Sequence, residues 1–433
     1  MNPGACCPRG TWLMNHSRFP LVALALLGTA PLSAAPQGDE PVAVAAGVRQ
    51  GIDFIYVDPA LAIVGRQQLK SRARTLAVNS TKSGAPSVMF TDLARGLKQY
   101  QASWGRLPQL QIPAGPLLQR GSTGRRVAAL RSRLGLPPVG PYDAKLSLAV
   151  AAYQRVHGVG FGDGSADPAT IDSLNRGAVF YERKIAINME RAFRLPVVGT
   201  YERYVVVDSG AAETYLIARD RIADRMRVVV GSAKTKTPMM AVILRNAKAN
   251  PYWNVPPDLV RTLTATRINE QGLTYLRDFH YEVLSDWTAS AHPIDPATVN
   301  WKAIASGRKL PSIWVRQLPG PWNSMGAMKF EMPNDYGIYL HDTPHKELFA
   351  GNERWVSNGC VRLQDYRRFA SWVFGQPPVV TSAVEQRFDL DRPVPVFMTY
   401  LTVAPTTSGV AFRPDPYGYD ALAMTQMFAG RRG

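Results

Sequence analysis

Cysteine is almost missing from this chain: of three in 433 residues, Cys6 and Cys7 precede an apolar run, and Cys360 alone stands in the body of the sequence. One thiol makes no internal disulfide, so a disulfide-stapled fold is excluded. Histidine is nearly as scarce, at six. His157 stands alone in its region, and Pro344 spoils His341 and His345 as a helical pair with no third ligand following, so no metal site and no cofactor are expected. Long apolar runs are missing as well. The best, LVALALLGTAPLSAA from Leu21, is short and broken by Pro31, too poor to span a bilayer comfortably. Acidic residues are in deficit, 33 against 50 Lys and Arg, for a net charge of +17. Arginine is spread out, with no run like a nucleic-acid arm. A long anionic polymer or a membrane surface outside the cell suits that charge, and no nucleic-acid partner is expected.

What is present begins with an export layout. Arg18 precedes the apolar run, Ser33, Ala34 and Ala35 offer a small-residue cleavage site, and the sequence turns polar at Gln37 to Glu40. Cleavage there removes Cys6, Cys7, Arg9 and Arg18, which leaves Cys360 as the sole thiol and a net charge of +15. An uncleaved anchor is the alternative; both readings place the rest of the chain in the periplasm or cell envelope. A free thiol in an oxidising compartment is a liability unless its chemistry is used, the bland alternative being a buried, inert cysteine.

With 46% hydrophobic residues the chain can bury a sizeable core. Its patterning predicts an α+β multidomain protein: a signal peptide over 1–35, a helical scaffold over 36–115, a three-helix domain over 116–177, a helical connector over 178–200, a β-rich domain over 201–398 and a C-terminal tail over 399–433. In the three-helix stretch, Val127, Leu130 and Leu134 make one stripe and Leu146, Val150, Tyr153 and Val156 another. Asp143, and Asp167 followed by Pro168, read as helix starts. RYVVVDSG, ETYLIARD and MRVVVGS alternate with period two and predict antiparallel strands. A proline-punctuated insertion from about 250 to 309 reads as a lid or as a passive surface excursion.

The chemistry concentrates in HDTPHKELFAGNERWVSNGC, residues 341–360. Ile338 to Leu340 read as a short strand ending at His341, and Cys360 lies where a tight loop meets regular structure. A thiol beside an imidazole is an activated nucleophile. Gly359 permits close backbone approach, the Gly359 and Cys360 amides are candidate oxyanion donors, and Arg362 suits a bidentate grip on a substrate carboxylate.

Two resemblances follow from these residues. AVAAYQRVHG, Asp163-Gly164 and TIDSLN resemble the peptidoglycan-binding domain of exported cell-wall enzymes. His341, fifteen residues, Ser357-Asn358-Gly359-Cys360 and then Arg362 resemble the L,D-transpeptidase family with the YkuD-type catalytic domain. NPYWNVP, WVRQLPGPWNSMGAMKF, PNDYGIYLHDTP and KELF are similar to landmarks of its YcbB-like subgroup, which carries an inserted peptidoglycan-binding domain. Asn358 departs from the family's usual second histidine; it keeps hydrogen-bonding capacity but does not titrate. The resemblance implies peptidoglycan stem peptides as substrate, Cys360 as nucleophile, His341 as base or ion-pair partner and then proton shuttle, release of terminal D-alanine, and acylation by carbapenem-type inhibitors. It implies Ser357 or Asp342, or else a backbone carbonyl, as the group orienting His341. Tyr339, Trp355, Asn323 and Met325 become candidate pocket residues with Ser357 and Asn358, core packing being the alternative. Water, a D-amino acid or a lipoprotein lysine are alternative acceptors, and a non-catalytic wall-binding protein is the alternative from another class. Sequence leaves the oligomeric state open.

Overall fold

The computed structural model of the chain describes residues 56–57, 85–288, 290–308 and 313–428. The expected signal peptide, with Cys6 and Cys7, lies outside the described residues. Helix α1 (Val88–Ala102) starts on Ser87, whose side chain accepts from the Phe90 N–H. Helices α2 (Arg125–Arg133), α3 (Ala144–His157) and α4 (Pro168–Phe193) follow, α4 being broken at Gly177, where φ is +78°. Val127, Leu130, Leu146, Val150, Tyr153, Ile171 and Leu174 share one core, as their helical spacing predicts. Asp143 caps α3 through the Leu146 N–H at 2.8 Å, and Asp167 caps α4 through the Thr170 N–H at 2.8 Å. His157 is buried at the end of α3, bonded to the Tyr100 hydroxyl at 3.0 Å and the Tyr153 carbonyl at 2.9 Å.

The strands run β1 (Tyr56–Val57), β2 (Arg203–Asp208), β3 (Glu213–Ala218), β4 (Arg221–Gly231), β5 (Met240–Ala249), β6 (Trp253–Val255), β7 (Tyr281–Leu284), β8 (Trp314–Gln317), β9 (Met328–Glu331), β10 (Leu340–His341), β11 (Trp355–Ser357), β12 (Val361–Leu363), β13 (Gln386–Thr399), β14 (Val403–Thr406) and β15 (Gly409–Phe412). The order β5-β13-β2-β3-β4-β12-β10-β9 closes on itself because β9 also pairs with β5. Every strand of that ring contributes to one buried cluster: Val205, Leu216, Val228, Val242, Phe330, Leu340, Val361 and Val396 meet there, with Phe369 and Val373 of helix α5 (Tyr366–Phe374). The cluster is therefore the barrel interior. Alternate residues of β2, β3, β5 and β13, among them Tyr204, Val206, Ile217, Ala241 and Phe397, face outward and pack on α1 and α4.

Three segments differ from the sequence reading in content or extent. The described part of the region 36–115, read from sequence as a helical scaffold, holds α1 and also β1, which pairs in parallel with β5 at Met240 and Ala241. The insertion runs longer than 309: β8 pairs with both β6 and β7, so the chain leaves the barrel at Asn250 and rejoins it only at Met328. Trp253, Val260, Ile268, Trp301, Val315 and Met325 give it a core of its own. Asn323 ties its neck, donating to the carbonyls of Pro251 at 3.0 Å and Leu318 at 2.9 Å. The expected tail is folded through residue 428: β14 and β15 form a hairpin, and Asp420 of helix α6 (Tyr419–Phe428) pairs with Arg191 at 2.6 Å and Lys184 at 3.3 Å. Turn formers in RPDPYGYD hide this segment from periodicity, because it is anchored by aromatic packing of Tyr417 and Tyr419 on Tyr400.

Phe369 is fully buried and meets Phe330 edge-on at 4.7 Å. Phe369→Ala is expected to cost about 3–5 kcal/mol in urea unfolding, the range for emptying an aromatic site in a core. A loss below about 1 kcal/mol contradicts the assignment of α5 to the barrel interior.

Candidate active site

The site is built by strand register. β10 and β12 run parallel, with Leu340 opposite Val361 and His341 opposite Arg362. Leu340 and Val361 point into the barrel, so His341 and Arg362 point out of it, and by the same alternation so do Tyr339 and Cys360. The Val361 N–H donates to the Tyr339 carbonyl at 2.9 Å, which extends that register one residue back. β9 lies on the other side of β10 and sets Lys329 opposite His341. Imidazole and thiol are thus diagonal neighbours on one outer face. A strand spacing of ~4.8 Å and a two-residue rise of ~6.6 Å put their Cα atoms on the order of 8 Å apart, within reach of side chains of this kind.

His341 is buried, and its Nδ1 faces the Asp342 carbonyl at 2.5 Å. A carbonyl only accepts, so the ring hydrogen sits on Nδ1, and Nε2 carries the lone pair that a general base needs. A backbone carbonyl, rather than Ser357 or the Asp342 carboxylate, fixes the imidazole. That carboxylate has other work: it accepts from the Ala327 N–H at 2.8 Å and pairs with Lys346 at 2.5 Å. Burial drives the His341 pKa down to about 3, with Arg362 the next cause and Lys329 adding to it, against the pull of the Asp342 and Met325 carbonyls. Burial likewise raises the Cys360 thiol, opposed by the Tyr339 N–H and then by Arg362 and Lys329. The resting pair is therefore neutral.

Cys360 is half-buried, its thiol directed at the Gly337 carbonyl at 3.7 Å. The loop beneath it is fixed from three directions. Ser357 Oγ donates to the Cys360 carbonyl at 2.6 Å and accepts from the Gly359 N–H at 3.1 Å. Thr235 Oγ1 donates to the Ser357 carbonyl at 2.8 Å, and Thr237 Oγ1 to the Gly359 carbonyl at 2.7 Å. Tyr417, from the far end of the chain, accepts from the Thr237 N–H at 3.2 Å and donates to the Gly231 carbonyl at 2.6 Å. Gly359 has φ +115°, a conformation that disfavours any side chain, and a Cβ there would lie 3.0 Å from Ile338 Cδ1.

The candidate residues separate accordingly. Cys360, His341, Tyr339 and Arg362 share the outer face, with Lys329, which sequence reasoning missed. The Arg362 Nε is buried without an acceptor, and among the described residues its guanidinium makes no ion pair. Asn358 is exposed on the loop. Ser357 is buried and spent on the loop's own bonds, so it does not face a ligand. The Gly359 amide is committed to Ser357, which leaves the Cys360 amide as the remaining oxyanion donor of the two. Trp355 donates from its indole N–H to the Ser209 carbonyl at 2.7 Å and packs on the barrel. Asn323 is a neck clamp and the Met325 side chain lies in the insertion core, although the Met325 carbonyl acts on His341. Spacing along the chain does not separate a residue that lines a pocket from one that builds its wall.

Residues 202–384 match the YkuD family, the L,D-transpeptidase catalytic domain. A Haemophilus influenzae protein, provisionally assigned as an L,D-transpeptidase, is 29% identical over 246 residues, which are 55% of this chain and 48% of that protein. The chain thus spans about half the length of the curated relative it matches. Among solved structures, a mutant of Enterococcus faecium L,D-transpeptidase aligns over 46% of this chain and 50% of its own, at 12% identity and a TM-score of 0.24. L,D-transpeptidase 3 of Mycobacterium tuberculosis, with a faropenem-derived adduct, aligns over 46% and 60%, at 9% identity and a TM-score of 0.22. Residues of an L,D-transpeptidase from Xylanimonas cellulosilytica align over 66% and 98%, at 14% identity and a TM-score of 0.20. Scores of that size do not equate individual residues. The family match covers β2 through β12 and brackets both His341 and Cys360, so the likeness to L,D-transpeptidase catalytic domains of the YkuD family falls on the segment that carries the site.

Proposed function

We propose that the chain is an exported L,D-transpeptidase of the YcbB-like kind, forming peptidoglycan cross-links through an acyl-enzyme on Cys360. The observation that carries the reading is an imidazole whose Nδ1–H is tied to a backbone carbonyl, on the same sheet face as the only thiol among the described residues. His341 Nε2 takes the proton from the Cys360 thiol as sulfur attacks the carbonyl of the third stem residue. The C–S bond forms, the peptide C–N bond breaks, and the proton passes from Nε2 to the departing D-alanine amine. The Cys360 amide steadies the oxyanion. An amine from a second stem peptide then attacks the thioester, and sulfur leaves as thiol, the proton returning through His341. Arg362, a partly buried cation with no ion pair among the described residues, suits a substrate carboxylate. The three-helix stretch over 116–177 would hold the enzyme on the wall, the positive charge would favour anionic surfaces beside it, and the insertion would act as a lid. The site lies outside the cytoplasm in this reading, where peptidoglycan is.

Transfer through a neutral pair has a signature in pH. Because the thiol's pKa is raised, its thiolate share at neutral pH is below that of a free cysteine. Iodoacetamide alkylation of Cys360 is expected to climb with pH through a midpoint above the ordinary 9.0. A plateau persisting into the acid range would instead reveal a thiolate–imidazolium pair. The acyl-enzyme itself is tested with a carbapenem. Intact-mass measurement after imipenem should show one adduct on the wild type and none on Cys360→Ala. An adduct that survives the substitution, or none on the wild type, removes Cys360 as nucleophile.

A further inference from the structure

The Gly359 carbonyl and the Cys360 N–H belong to one planar trans peptide unit and point in opposite directions, so whatever fixes the first aims the second. Thr237 fixes it. Its Oγ1 donates to the Gly359 carbonyl at 2.7 Å and accepts from the Gly231 N–H at 2.9 Å. Thr237 is held in turn through its own N–H, which donates to the Tyr417 hydroxyl at 3.2 Å, while that hydroxyl donates to the Gly231 carbonyl at 2.6 Å. Both polar groups of Gly231, the last residue of β4, are thereby engaged. A side chain there would collide with the Thr235 carbonyl and the Thr237 amide, so the segment closes on β4 because position 231 carries no Cβ.

Tyr417 lies beyond residue 384, where the family match ends. Its own surroundings place it. Its ring stacks on that of Tyr400 at 5.0 Å, its N–H donates to the Tyr400 hydroxyl at 3.0 Å, and its carbonyl accepts from Lys236 at 2.8 Å. The Tyr400 hydroxyl donates onward to Asp415 at 2.5 Å. Burial pushes the Tyr417 phenol up to about 12, so it keeps its proton across the neutral range and remains a donor to Gly231.

We propose that Tyr417 and Thr237 are positioning residues for acyl transfer, acting through the Gly359–Cys360 peptide to hold the Cys360 N–H on the developing oxyanion. The inference rests on the acyl-enzyme reading above and adds to it a part supplied by the C-terminal segment. As the C–S bond forms, the carbonyl electron pair moves onto oxygen, where the Cys360 N–H meets the charge. Collapse restores the carbonyl, the C–N bond breaks, and the amine leaves with the proton from His341. Removing the Tyr417 hydroxyl leaves the Thr237 N–H and the Gly231 carbonyl unpaired in a buried place. The Thr237 segment then loosens, and the Gly359–Cys360 peptide turns away from the reacting carbonyl.

The test compares two reactions of Cys360 in the full chain, both followed by intact mass. Acylation by imipenem passes through a tetrahedral oxyanion, whereas alkylation by iodoacetamide displaces iodide from a saturated carbon and forms none. Tyr417→Phe keeps the ring and removes only the hydroxyl: acylation should slow about tenfold, with alkylation unchanged. Thr237→Val should slow acylation about a hundredfold, the scale of one lost oxyanion donor, and Thr237→Ser, which keeps the Oγ, should restore it. Thr237→Val breaks the same relay one bond closer to the peptide and reads the same ratio of rates should Tyr417→Phe not fold. Equal slowing of both reactions reveals a loosened fold and overturns the inference, as does acylation at the wild-type rate in the two hydroxyl-deleted variants. A wild type that iodoacetamide alkylates but imipenem does not acylate brings down the acyl-enzyme reading and this inference with it.

Discussion

The parallel pairing of β10 with β12 is the constraint on which the site depends. One register, Leu340 against Val361 and His341 against Arg362, sends two apolar side chains into the barrel and leaves the reactive ones outside. A slip of one residue would reverse that: imidazole and guanidinium would enter an apolar interior, and leucine and valine would face the substrate. The core and the chemistry therefore enforce each other. Closure of the ring by β9 on β5 adds the third component, because it carries Lys329 to the flank of the histidine.

Electrostatics on that face follow from position more than from ion pairing. His341 is buried between two cations and leans on a carbonyl, so it rests neutral with its lone pair outward. The thiol is raised by the same desolvation and waits as a thiol. A thiol held in that state has low reactivity toward adventitious electrophiles. The loop that holds the sulfur is rigid for local reasons, through Ser357, Thr235 and Thr237, and for one distant reason, Tyr417.

The sequence disclosed the parts of this arrangement that are local. His341 ends a strand and Cys360 ends a loop, and both are visible from turn residues and β-branched runs. Asp143 and Asp167 announce their helices because capping is decided within three residues. Residues whose role depends on distant partners were not legible. Lys329 reads as an ordinary strand lysine until β9 is seen beside β10. Tyr417 lies in a turn-rich stretch that resembles a tail, and only its bond to the Thr237 segment gives it a place. Asn323 and Met325 sit in a motif near the site, yet they serve the neck and core of an insertion whose extent is set by β8 pairing. Ser357 stands three residues from the thiol and turns inward, since its hydroxyl is needed by the Gly359 and Cys360 backbone.

Nitrogen-resolved NMR of the histidine side chains, with His341 assigned by its loss in His341→Gln, bears most directly on the neutral, carbonyl-pinned imidazole. The account predicts a protonated Nδ1 and a bare Nε2 at neutral pH, unchanged on acidification until the pH approaches about 3. A His341 ring protonated on both nitrogens at neutral pH would contradict it.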